Sequence, residues 1–75
     1  MLLVAEGILN VALANDIVKF FKEAQIPGEV RLLHNGFSVT VPSPETKEEI
    51  AACGAVKGRI QAFISGWDVR NSRNY

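Results

Sequence analysis

The sequence predicts a small α+β domain, and three observations lead there. A central segment, EVRLLHNGFSVTV over residues 29–41, sets Asn-Gly between two β-rich runs. Apolar residues recur at helical spacing on either side of it. Prolines at 27, 42 and 44 separate the three pieces. The predicted order is α-β-β-α, a two-stranded antiparallel hairpin packed on two helices. One domain spans residues 1–66 and a polar C-terminal tail spans 67–75.

Asn35-Gly36 is the strongest local signal. Both central positions of a type I′ turn need positive φ, which Asn and Gly tolerate best. With those two residues as the loop, His34 faces Phe37, Leu32 faces Val39 and Val30 faces Val41. That register puts Val30, Leu32, His34, Phe37, Val39 and Val41 on one face. Glu29, Arg31, Ser38 and Thr40 take the other, with Leu33 out of pattern, so one face is core and one is wet.

The second helix is expected from Pro44 to Ser65. Ser43 serves as N-cap, Pro44 as the first helical residue and Gly66 as the stop. Glu45, Glu48 and Glu49 crowd its first turns, where the helix dipole favours negative charge. Ahead of the hairpin, Leu9, Leu13, Ile17, Phe20, Phe21 and Ala24 form an amphipathic stripe. Its C-terminal half, DIVKFFKEAQ, is the clearest part. One long helix reaching back toward Met1 is the leading expectation. The alternative makes residues 2–9 a strand, with Asn15 or Asp16 capping a shorter helix. The order is then β-α-β-β-α, with a three-stranded sheet.

Length and composition narrow the function classes. A chain of 75 residues buries only about 60% of its unfolded surface and needs a good core, a partner or self-association. Cys53 is the only cysteine, so no disulfide forms within the chain, and one His with one Cys makes no four-ligand metal site. No cofactor is expected. Eight basic and eight acidic residues cancel, so no overall field steers the chain toward nucleic acid or anionic lipid. Residues 2–14 end in Ala12-Leu13-Ala14, similar to a secretory cleavage site. Yet no Lys or Arg precedes Lys19, and Glu6 and Asn10 interrupt the apolar run, against both a signal peptide and a membrane span. A neutral chain with a lone thiol fits a reducing cytoplasm.

Within the second helix, winding at about 100° per residue separates two stripes. Cys53, Val56, Ile60, Phe63, Ile64 and Trp67 form a large-residue side. Ala51, Ala55, Gly58, Ala62 and Ser65 form a smooth one, with Gly54 at its edge. A glycine inside a helix costs about 1 kcal/mol relative to alanine. A physical reason to keep two of them is close approach of another backbone, as in small-xxx-small helix contacts. The first helix, read as one piece, carries a second apolar face through Val4, Ile8, Val11 and Val18. Both surfaces point to a protein partner, with a homodimer expected. The expected interface residues are Ala51, Gly54, Ala55, Gly58, Ala62, Val4, Ile8 and Val11.

Candidate chemistry is sparse. Cys53 sits on the core side with no basic group beside it, the environment of a structural thiol. His34, beside the turn, is read as a partly packed imidazole with its tip in solvent. The glutamates at 45, 48 and 49 are explained by the helix dipole. Gly54 and Gly58 lie within a helix and match neither the P-loop nor the G-x-x-G spacing of a KH domain. No catalytic constellation is legible, so an enzyme is not expected. Arg70, Arg73 and Tyr75 are candidate tail contacts. With Lys57, Arg59 and Trp67 they make at most a small basic edge, and no nucleic-acid reader motif accompanies it.

The sequence of a helix ending in DIVKFFKEAQ, a hairpin turning at Asn35-Gly36, a Ser43-led helix and a short tail resembles the head–tail joining protein W family of lambdoid phages. The likeness covers most of the chain in outline, without a shared functional motif, and the strongly basic tail of that family is missing. It implies a structural assembly component whose tail docks into a larger particle. The residues themselves favour a small non-enzymatic interaction module, an inhibitor or adaptor. A nucleic-acid-binding regulator is the weaker third reading.

Overall fold

A computed structural model describes the backbone of residues 1–71 and the side chains of residues 1–67. Its elements are β1 (Leu2–Ile8), α1 (Val11–Ala24), β2 (Glu29–Leu32), β3 (Gly36–Val41) and α2 (Lys47–Asn71). The α+β class holds, and the order is the alternative β-α-β-β-α rather than α-β-β-α. The sheet is antiparallel in the order β1-β3-β2. β1 and β2 therefore run parallel on either side of β3, joined through α1 as a split β-α-β unit.

Residues 2–8 are a strand because the helix start signal lies at Asn10, not further back. Asn10 has extended backbone (φ −153°, ψ 96°), and its side-chain oxygen accepts from the Leu13 N–H at 3.0 Å. This satisfies one of the four N-terminal donors that a helix leaves open. Asn15 and Asp16 lie inside α1 and cap nothing. At the other end, Gln25 takes left-handed backbone (φ 57°) and its N–H bonds to the carbonyls of Lys22 and Phe21, closing the helix before Pro27.

β1 pairs with β3 in two registers, Leu2↔Val41 and Leu3↔Thr40, then Ala5↔Val39 through Ile8↔Gly36. Val4 is the extra residue of a bulge. Its side chain is buried, 3% exposed, in the central cluster.

The hairpin turns one step earlier than the Asn-Gly signal implies. Leu32 pairs with Phe37 and Val30 with Val39, and Leu33 N–H donates to the Gly36 carbonyl at 2.8 Å. The loop is thus His34-Asn35, and neither residue has positive φ. Gly36 is required for a different reason. A Cβ there would lie 2.7 Å from the Gly7 carbonyl oxygen of β1. The glycine lets the neighbouring strand approach, whereas the predicted role was to bend the turn. The predicted core face survives on β3, because the register differs by two residues and only an odd slip exchanges faces. On β2, by contrast, Val30 is half-buried, Leu32 is 52% exposed and His34 has left the strand for the loop. Phe37, Val39 and Val41 are buried and alternate with half-buried Ser38 and Thr40.

Both helices cover the Phe37/Val39/Val41 face, α1 over β2 and α2 over β1, and they touch each other. Leu13, Ile17 and Phe21 of α1 and Ile60 of α2 complete the cluster. Cys53, Val56, Phe63, Ile64 and Trp67 pack against it, so the predicted large-residue side of α2 is the core side.

The ends of α2 differ from those expected. It begins at Lys47, not Pro44, and its cap is Thr46 rather than Ser43. Thr46 Oγ1 accepts from the Glu49 N–H, and the Glu49 carboxylate accepts from the Glu45 N–H. This is a capping box in Thr46-Lys47-Glu48-Glu49, with its return bond one residue early. Nor does Gly66 stop the helix. Trp67, the next residue, donates from Nε1 to Asp16 Oδ2 of α1 at 2.7 Å, which anchors the chain beyond the glycine. Residues 67–71 thus continue α2 instead of opening a tail, and residues 72–75 lie outside the described residues.

Candidate interaction surface

The smooth side of α2 faces solvent. Ala51, Gly54, Ala55, Gly58 and Ala62 are all exposed. A Cβ built on Gly54 or Gly58 would find nothing within 4 Å. Contacts to neighbouring elements fix how the helix is rolled. On one flank Phe63 stacks on Phe20 of α1, with ring centroids 4.9 Å apart, and the Arg59 guanidinium lies 5.4 Å from the Phe20 ring centre. The Trp67–Asp16 bond lies on the same flank. On the opposite flank Gln61 Nε2 donates to the Val4 carbonyl of β1 at 3.4 Å. The glycines stand on the β1 side, away from α1.

The first-helix part of the expected interface resolves into different elements. Val4 is in the core and presents no surface, because the bulge turns it inward beside Ala5. Ile8 ends β1 and is 86% exposed, the most exposed large aliphatic side chain among the described residues. Val11 is the first residue of α1 and half exposed. Ile8 and Val11 do share a region, with Leu9 and Leu33 beside them. The Leu9 N–H donates to the Asn35 carbonyl at 3.3 Å, and Ile8 pairs with Gly36. This apolar end of the sheet was divided in the sequence between a helix face and a turn. Side chains at Arg70, Arg73 and Tyr75 lie outside the described residues.

The remaining chemical candidates stay apart. Cys53 is half-buried and free, at the edge of an apolar groove of about 330 Å³ floored by Val41, Val56 and Ile26 and walled by Pro27, Pro42 and Pro44. His34 is exposed in the loop, not packed on the apolar face as the earlier register implies. The glutamates at 45, 48 and 49 surround the α2 cap. Among the described residues no three His, Cys, Asp or Glu side chains gather to hold a metal ion, and no helix is long and apolar enough to cross a membrane.

No protein-family model matches this chain, and neither a curated protein nor a solved structure is similar to it.

Proposed function

We propose that this chain is a small non-enzymatic protein–protein interaction module that self-associates through helix faces. The observation that carries the reading is the solvent-facing glycine side of α2. Two glycines in the middle of a 25-residue helix cost about 1 kcal/mol each relative to alanine. No neighbour within the chain comes near enough to require either of them. A second backbone approaching that side gives the cost a purpose. The exposed aliphatic side chains Ile8 and Val11 add apolar surface that a partner removes from water.

Sedimentation equilibrium of the full chain at micromolar concentrations tests this. The expected result is a mass of twice 8.2 kDa, reduced to the single-chain value by Gly58→Leu. That substitution has open space in the monomer, so its folded content by circular dichroism is expected to be unchanged. A single-chain mass at every concentration refutes self-association.

A further inference from the structure

We infer that the first half of α2, from Lys47 to Gly58, opens as one unit from the rest of the fold while the helix from Arg59 onward stays docked. The inference concerns the single chain and goes beyond the self-association reading, on which it does not depend.

The two halves of α2 are held very differently. From Lys47 to Gly58 only Cys53 and Val56 are half-buried, and every other residue is exposed. Ile50 is 58% exposed. From Arg59 to Trp67 the contacts gather. Ile60 is fully buried, Phe63 stacks on Phe20, and the Arg59 guanidinium lies over the same ring. Gln61 bonds to the Val4 carbonyl and Trp67 to Asp16. Ile64 packs against the central cluster beside them.

Helix propensity does not make up the difference. A helix of about 12 residues is marginal in water even when rich in alanine. Gly54 and Gly58 each lower the helix–coil equilibrium about fivefold relative to alanine. The capping box that steadies this half is itself exposed. Beneath it, Cys53 and Val56 share with Val41, Pro42 and Pro44 the lining of the open groove of about 330 Å³. The seam between this half and the sheet is therefore not close-packed, and contact energy is lost there.

The opening has defined ends. Val41 holds the chain in the sheet on one side, and Ile60 and Gln61 hold it on the other. The segment between them is a loop tethered at both ends, which regains backbone freedom when it melts. Glycine is an accepted N-cap, so with Gly58 in that place the shortened helix begins at Arg59. Its first intrahelical bond then runs from the Ala62 N–H to the Gly58 carbonyl. Opening thus frees the amides of residues 50–61 and keeps those from Ala62 onward. It also lifts Cys53 and Val56 away and bares Val41 and Ile26, the groove floor.

Amide hydrogen exchange on the full chain, dilute enough to be monomeric by sedimentation, tests this. The expected result is a step. Residues 50–61 share one low protection, and residues 62–67 are protected about tenfold more or better. Ile17→Val, at a fully buried site of α1, weakens the part of the fold that the closed and open states share. It should lower protection at residues 62–67 by about threefold or more and leave residues 50–61 unchanged. Asp16→Ala, which removes the acceptor of Trp67, should show the same division. Urea below the unfolding transition should lower the second block more steeply than the first, because opening exposes less surface than unfolding. Equal protection along α2, or an equal loss in both blocks with Ile17→Val, overturns the inference. So does protection that climbs residue by residue with no step at Ala62, which marks fraying from the capped end. The mass in sedimentation is a separate readout, so this inference and self-association fail independently.

Discussion

Replacing Gly54 and Gly58 by alanine together separates what the monomer needs from what a partner needs. Both positions lie in mid-helix, both are exposed, and an added Cβ meets nothing within 4 Å at either. Nothing in the folded monomer opposes the methyl groups, so the effect is that of helix propensity, in good part through the smaller conformational freedom of the unfolded chain. At about 1 kcal/mol per site the pair adds about 2 kcal/mol, because helix propensities sum residue by residue. For a domain of this size each kcal/mol moves the melting temperature by roughly 4–8 °C, so the double variant should melt roughly 8–16 °C higher. Thermal unfolding followed by far-ultraviolet circular dichroism, with Trp67 fluorescence as a second probe, measures it. The sample must be dilute enough to be monomeric by sedimentation. An unchanged or lower melting temperature there refutes the reasoning, because it requires a neighbour at these positions within the single chain.

The same substitution at other glycines should have the opposite sign. Gly36→Ala puts a Cβ 2.7 Å from the Gly7 carbonyl oxygen, and the strand shift it forces should cost about 1–3 kcal/mol in urea unfolding. Gly28→Ala drives a Cβ to 2.5 Å from the Phe21 ring, so a loss of about 1–3 kcal/mol is expected there too. Gln25→Gly should stabilise by about 1 kcal/mol, because the left-handed backbone at the end of α1 strains an L side chain and not glycine. Asp16→Ala removes the carboxylate that accepts from Trp67 Nε1. It should cost about 1.5–3 kcal/mol, visible as a lower urea midpoint and a changed Trp67 emission.

How much of this was legible in the sequence follows from the range of each interaction. The large-residue side of α2 was readable because helix periodicity is local and Cys53, Val56, Ile60, Phe63, Ile64 and Trp67 keep it for four turns. The buried face of β3 was readable for a similar reason, even with the register off by two, but Leu32 of β2 and His34, placed on the same face, are exposed. β1 was obscured by its own bulge. Val4 and Ala5 are consecutive and both turn toward the core, so the alternation that marks a half-buried strand is broken in its middle. The reason for Gly36 lies in Gly7, remote in sequence, and only the folded sheet brings the two together. Gly66 had the look of a helix stop because its counterweight, the Trp67–Asp16 bond, joins residues 51 apart. The glycine side of α2 was legible as a pattern. Its direction toward the β1 edge needed the contacts of Gln61 and Phe63.

The split β-α-β arrangement also bears on the order in which the sheet assembles. β3 is the central strand, and its two neighbours reach it over different lengths of chain. Leu32 and Phe37 are five residues apart, whereas Gly7 and Phe37 are thirty apart. Closing the longer loop costs roughly 1.5 kcal/mol more in chain entropy. The hairpin should therefore be in place when β1 arrives, and β1 should be the last strand on. Substitutions in β1 would then speed unfolding while leaving the folding rate nearly untouched, and those in β2 and β3 would slow folding. The longest strand of the sheet, which carries Val4 into the core, is thus the one that folding adds last.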